Sequence, residues 1–140
     1  MPGVKHCRVF PADTFPVFRY VVVFSRMNGQ WLFSRHRQRQ TWETQGGHIE
    51  PGETPLEAAK RELYEESGAT RFTISPVLDY WAGVDQDSAV GAVFLAEITE
   101  LGPLPHSEMA EVRAFDDLPE DVTYPAITPV LFERIKTMVS

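Results

Sequence analysis

The 140-residue chain has a single cysteine, Cys7, so neither an internal disulfide framework nor a cysteine metal cluster is expected. Long hydrophobic runs are missing as well. The best uncharged apolar stretch, Tyr20 to Phe24, is strand-sized, far below the ~18 residues of a membrane span. The first ten residues, MPGVKHCRVF, carry no hydrophobic signal segment. A cytoplasmic protein without a membrane partner is the expectation. Basic residues are in deficit: 13 Lys and Arg against 20 Asp and Glu give a formal net charge of −7. That balance argues against generic binding to nucleic-acid backbones, where a basic face supplies most of the affinity, so no nucleic-acid polymer is expected as a partner. An anionic small molecule stays open, because a bound metal inverts the local field. Repeats, low-complexity tracts and long linkers are absent, and the length suits one domain spanning residues 1–140.

The charge that is present is segregated. Residues 26–39 contain Arg26, Arg35, His36, Arg37 and Arg39 without an acid, whereas residues 50–66 contain six glutamates. Phe18 to Ser25 is rich in β-branched and aromatic residues and reads as a strand; Asn28-Gly29 marks a hairpin, and Trp31 to Arg35 returns. Thr41 to Glu53 is polar and glycine-punctuated and reads as a loop, with a short strand at its start. Thr54-Pro55-Leu56-Glu57 has the form of a capped helix start, with the helix running to Ser67 and stopping at Gly68. Strands are expected near Phe72–Tyr80, Ala89–Ile98 and Glu111–Phe115, and a closing helix over Pro125–Val139 with Ile127, Val130, Leu131, Ile135 and Met138 as its apolar stripe. This order fits a mixed α/β architecture, a sheet between two helices.

At about 100° per residue, Leu56, Ala59 and Leu63 share one face of the first helix, and Glu62, Glu65 and Glu66 share a neighbouring arc. Arg61 is spaced to tie Glu57 and Glu65 along the helix. A solvated acidic face is the simplest account of such a run. However, Glu65 and Glu66 sit in the last turn, where the helix dipole disfavours negative charge, and Glu62 and Glu66 form a like-charged i, i+4 pair. Carboxylates gathered at an unfavourable place point to a hard divalent cation, such as Mg²⁺ carrying substrate phosphates. Gly46-Gly47, just before the helix, lets backbone approach a ligand closely.

The stretch GHIEPGETPLEAAKRELYEESGA, Gly47 to Ala69, resembles the Nudix box, with Gly47, Glu53, Arg61, Glu62, Leu63, Glu65, Glu66 and Gly68 in register. The resemblance implies a Nudix α/β/α sandwich and hydrolysis of a phosphoanhydride in a nucleoside diphosphate derivative by attack of water at phosphorus. It further implies that Glu65 and Glu66 ligate Mg²⁺, for which Mn²⁺ can substitute. Glu62 would be a ligand or the base, the Gly46 carbonyl a further ligand, Arg61 the holder of the glutamates, and Glu53 a brace or outer-shell group. Glu108 or Glu111 would supply one more acid from the loop before the last strand, and a homodimer is a family-level expectation. One departure stands out: relatives commonly read Trp-Glu-Phe-Pro-Gly-Gly, whereas this chain reads Trp42-Glu43-Thr44-Gln45-Gly46-Gly47, which changes the stiffness of the loop and the pocket wall.

Substrate choice rests on residues outside the box. Arg35, Arg37 and Arg39, placed on one face by strand alternation, are candidates for phosphate contact, balanced by the reading of a basic edge strand. Trp42, Tyr80 and Trp81 are candidates for stacking on a base, set against the commoner role of core packing, with Tyr80-Trp81 leading into a polar loop Asp85–Ser88. His48 is placed near phosphate by its position after the glycines. The segment Leu118 to Pro129 resembles the mutator-type nucleoside triphosphate branch, in which the start of the last helix, here Thr128, shapes the base pocket. The proline that marks ADP-ribose hydrolases is missing near Val84-Asp85, as are the longer signatures of NADH and coenzyme A hydrolases. A (deoxy)nucleoside triphosphate, oxidised guanine nucleotides such as 8-oxo-dGTP included, is therefore the leading substrate class. ADP-ribose, nucleotide sugars and dinucleoside polyphosphates are the alternatives, and a non-catalytic nucleotide-binding module is the competing class.

Overall fold

A computed structural model describes residues 6–84 and 87–139. Its elements are β1 (His6–Pro11), β2 (Tyr20–Met27), β3 (Gln30–His36), β4 (Gln45–His48), α1 (Pro55–Ser67), β5 (Ala69–Val84), β6 (Asp87–Leu101), β7 (Met109–Phe115) and α2 (Thr128–Ile135), which ends in a 3₁₀ turn over Lys136–Met138. One mixed sheet runs β1-β5-β6-β2-β3-β7, with β4 attached to β2. The β2–β6 pair is parallel and the other pairs are antiparallel.

The two faces of the sheet are covered by different helices, as expected of a sandwich. Alternation along β2 sends Val21 and Val23 to the α1 side, with Ala58, Ala59, Leu63, Phe94 and Ala96, and sends Phe24 to the other side. There it joins Trp31, Phe33, Tyr80, Leu131, Phe132 and Ile135. The Asn28-Gly29 turn carries φ of 53° and 80°, the positive values that let β2 double back tightly into β3. α1 has both halves of its capping box, Glu57 N to Thr54 Oγ1 at 3.1 Å and Thr54 N to Glu57 Oε1 at 2.9 Å, and it stops at Gly68 with φ 83°.

Several expectations need correction. β1 is an additional strand, pairing with β5 through half-buried Cys7 and Val9. The short strand expected near Thr41 forms later, as β4, opposite Tyr20–Val23. β5 and β6 are longer than their apolar cores because polar residues at their ends still pair; the register shifts between Pro76 and Leu78 accommodate a proline with no N–H to donate. Of the expected loop Asp85–Ser88, Asp87 and Ser88 belong to β6, and residues 85 and 86 lie outside the described residues. α2 begins at Thr128 rather than Pro125, where Pro129 fits the first turn, and the residues before it form a turn closed by Thr128 N to Tyr124 O at 2.9 Å. Leu56, Val130 and Met138 are exposed; the buried faces are Ala58, Ala59, Leu63 and Ser67 on α1, and Ile127, Leu131, Phe132 and Ile135 around α2. Glu57 turns to the cap instead of Arg61.

Candidate active site

α1 lies across β4, and the side chains between them form the site. Arg61 is the hub. Its Nε and Nη2 donate to the Glu53 carboxylate at 2.7 and 3.0 Å, Nη1 donates to Glu62 at 2.6 Å and reaches Glu65 at 3.5 Å, and Nη2 also meets the His48 carbonyl at 3.2 Å. A planar fork with five donors suits this convergence of acids better than an ammonium would. The fork holds the Glu53 carboxyl well below its ordinary range, at about 2. Glu53 also accepts from Glu50 N at 2.9 Å, which closes the loop entering the helix.

Glu62 and Glu66 face the glycine pair. Glu66 Oε1 accepts from Gly46 N at 2.7 Å. A Cβ on Gly46, whose φ is 151°, would stand 2.3 Å from the Val21 carbonyl, and a Cβ on Gly47 would stand 3.1 Å from the Glu62 carboxylate. At Gly46 only glycine lets the strand pass this close to β2, and at Gly47 a side chain would crowd the Glu62 carboxylate. Burial, then the neighbouring Glu62, pushes the Glu66 carboxyl up to about 9, and burial also raises Glu62. The cluster is therefore short of positive charge, and its donors are all oxygens, a set that fits a hard divalent cation. Among the described residues, no three acid, imidazole or thiol side chains already converge as a chelating group. Glu62 and Glu65 also accept from Arg61, and with Glu66 they are the carboxylates that would hold such an ion.

Beside the glycine pair opens a cavity of about 350 Å³, lined by Tyr20, Val21, Val22, Glu43, Thr44, Gly46, Gly47, His48, Tyr80, Tyr124, Ile127, Thr128 and Leu131. Gly47, His48, Tyr80 and Thr128 thus line one cavity. The His48 ring packs on Tyr20 at 4.5 Å between centroids. Trp42 does not line this cavity: it is buried in the core, edge-on to Phe115 at 5.0 Å and capped by the Arg113 guanidinium. Its backbone pairs with Val122, which turns the indole away. Only Arg35 of the three arginines lies on β3, which ends at His36, so strand alternation does not carry Arg37 and Arg39 onto its face. Arg35 pairs with Glu111 at 3.2 Å, Arg37 donates to the Ser107 carbonyl, and Arg39 pairs with Glu43 at 3.1 Å. Glu111 is held between Arg35 and Arg113, and Glu108 is exposed beside His36. Sequence reasoning gave no role to Tyr20, Glu43 or Tyr124. Glu43, an acid three residues before the glycine pair, was the available signal.

The NUDIX domain family model matches residues 16–130, which is most of the chain and includes the acidic cluster and all of the cavity lining but Leu131. The chain belongs to the Nudix hydrolase family. Among curated Nudix relatives, it is 31% identical over 108 residues to the Bacillus subtilis protein named "Putative 8-oxo-dGTP diphosphatase YtkD", covering 75% of this chain and 66% of the relative. It is 41% identical over 56 residues to an RNA pyrophosphohydrolase of Mesorhizobium japonicum, covering 39% of this chain and 32% of that protein. The chain thus spans about two thirds of the first relative and a third of the second. In fold, this Nudix domain superposes on a mutant of the Bacillus subtilis pyrophosphohydrolase BsRppH with a TM-score of 0.77 at 24% identity, covering 93% of this chain and 90% of the other. No helix among its described residues is long and apolar enough to cross a membrane.

Proposed function

We propose that this Nudix domain is a divalent-cation-dependent pyrophosphohydrolase that cleaves a (deoxy)nucleoside triphosphate, oxidised guanine nucleotides such as 8-oxo-dGTP included, to the monophosphate and pyrophosphate. The observation that carries this reading is the junction of two features at Gly46-Gly47: the acidic arc of Glu62 and Glu66 on one side, and a cavity walled by Tyr20, Tyr80 and Tyr124 on the other. In this reading Glu65, Glu66 and the Gly46 carbonyl hold Mg²⁺ or Mn²⁺, and Glu62 joins them or takes the proton from water. The bound ion supplies charge neutralisation of the phosphates and a lowered pKa for its water. Arg61 and Glu53 keep the glutamates on their arc. The tyrosines offer apolar faces to a base, Thr128 and Glu43 offer polar atoms to its edge, and His48 borders the phosphates. All the box glutamates are present, which weighs against a non-catalytic binding module.

The names of the relatives point to two neighbouring substrates: 8-oxo-dGTP for the YtkD relative, and RNA for the RNA pyrophosphohydrolases. The net charge of −7 and the engagement of Arg35 and Arg37 within the fold favour the free nucleotide. The test is a panel assay with Mg²⁺ or Mn²⁺ on nucleoside triphosphates, 8-oxo-dGTP, ADP-ribose, nucleotide sugars, dinucleoside polyphosphates and a 5′-triphosphorylated RNA oligonucleotide, with products identified. Monophosphate and pyrophosphate from a free triphosphate are expected. Turnover of the RNA end alone, or of ADP-ribose alone, would replace this reading.

A further inference from the structure

Gln45 stands where the resemblance would have proline, and its side chain is completely buried. It lies at the fork of the sheet. β2 pairs with β4 from Tyr20 to Val23 and with β3 only from Ser25 onward, so β3 parts from β2 at Leu32. The Gln45 amide fills this gap: Nε2 donates to the Leu32 carbonyl at 3.3 Å and to Ser34 Oγ at 3.0 Å, and Oε1 accepts from Ser25 Oγ at 2.5 Å. Ser34 Oγ passes its own hydrogen to the Glu66 carbonyl at 2.8 Å. Every donor in the chain is used once. Exchanging the amide's oxygen and nitrogen would aim an oxygen at the Leu32 carbonyl, so its orientation is fixed.

The two ends of this network converge on Glu66. Ser34 holds its backbone carbonyl, one of the last-turn carbonyls of α1, and the amide of Gly46, the residue after Gln45, holds its carboxylate. A carboxylate at a helix C-terminus beside Glu62 is pushed away by both, so its place must be imposed by the framework. We propose that Gln45 is a positioning residue that fixes Glu66 through Ser34 and Gly46, and so sets the geometry of the cation site; the proposal rests on the metal-dependent reading above. Mg²⁺ tolerates little departure from octahedral geometry, and loss of an outer-shell partner weakens metal binding by about 10–100-fold.

The test compares Gln45→Met, Ser34→Ala and Ser25→Ala. The last touches Gln45 but not Glu66, so it reports simple loss of buried hydrogen bonding. Mn²⁺ affinity of the nucleotide-free protein is measured by electron paramagnetic resonance, hydrogen exchange at the Gly46 amide by NMR, and kcat and KM on the best substrate of the panel. Gln45→Met and Ser34→Ala are expected to weaken Mn²⁺ binding about 10–100-fold, to speed Gly46 exchange and to lower kcat with KM held. Ser25→Ala should lower the Tm with Mn²⁺ affinity near wild type. Equal loss of Tm in all three variants at wild-type Mn²⁺ affinity and unchanged Gly46 exchange would overturn the positioning role. A wild-type protein that binds no Mn²⁺ would overturn the metal reading itself, while Gly46 exchange would still report whether Gln45 restrains Glu66.

Discussion

The two helices cover opposite faces of one sheet by different means. α1 is locally complete: a reciprocal capping box, proline in the first turn, a left-handed glycine stop and small buried residues, Ala58 and Ala59, that bring it close to the strands. α2 has neither a side-chain cap nor a left-handed stop; it begins at Thr128, after an uncapped Ile127, and decays into a 3₁₀ turn. What fixes it is packing, with Leu131, Phe132 and Ile135 buried among Phe24, Trp31 and Phe33. The helix that carries opposed charges has its ends secured, and the helix that carries apolar bulk does not need it. Local hydrogen bonding around α1 offsets the strain of crowding three acids onto its last turns.

The contrast can be broken from either side. The largest effect is expected from Glu66→Gln, which removes a proposed metal ligand and should lower kcat by more than the roughly 10–100-fold that loss of an outer-shell partner costs. It should also raise the Tm of the metal-free protein by a few degrees at pH 7–8. The sign follows from proton linkage: a carboxyl raised to about 9 in the folded chain binds more protons than its unfolded counterpart, so stability falls as pH climbs from the unfolded carboxylate pKa towards 9. Metal-free melting curves across that range would check it, and a flat profile would refute it. Next comes Phe132→Ala, expected to cost about 3–5 kcal/mol by denaturant titration while the folded fraction keeps its kcat. Thr54→Ala should cost only about 1 kcal/mol and leave kcat unchanged. If Thr54→Ala instead reduced kcat as strongly as Glu66→Gln, the capped end of α1 would belong to the catalytic machinery.

The sequence revealed what is local. Thr54, Glu57 and Gly68 announce α1 because caps are read from neighbours, and the box glutamates announce the acidic arc because helical geometry puts them there. β1 went unread because six alternating residues owe their strand to β5, far along the chain. For Trp42 and the arginines the sequence left two readings open, because a side chain's direction depends on partners such as Val122 and Glu111 that periodicity does not supply. Glu43 and Gln45 were visible as departures or as unassigned polar residues, yet their burial and their partners on β2 and β3 exist only after the sheet forks.

The parallel seam between β2 and β6 sets an order of assembly. Tyr20 finds its partner at Gly91 and Arg26 finds its partner at Glu97, so the centre of the sheet cannot close until most of the chain is made. The hairpin of β2 and β3, and α1 with its own caps, need no such wait. During synthesis the acidic helix can therefore be wound before the floor beneath it exists, and closure of that distant seam is the step expected to limit the folding rate.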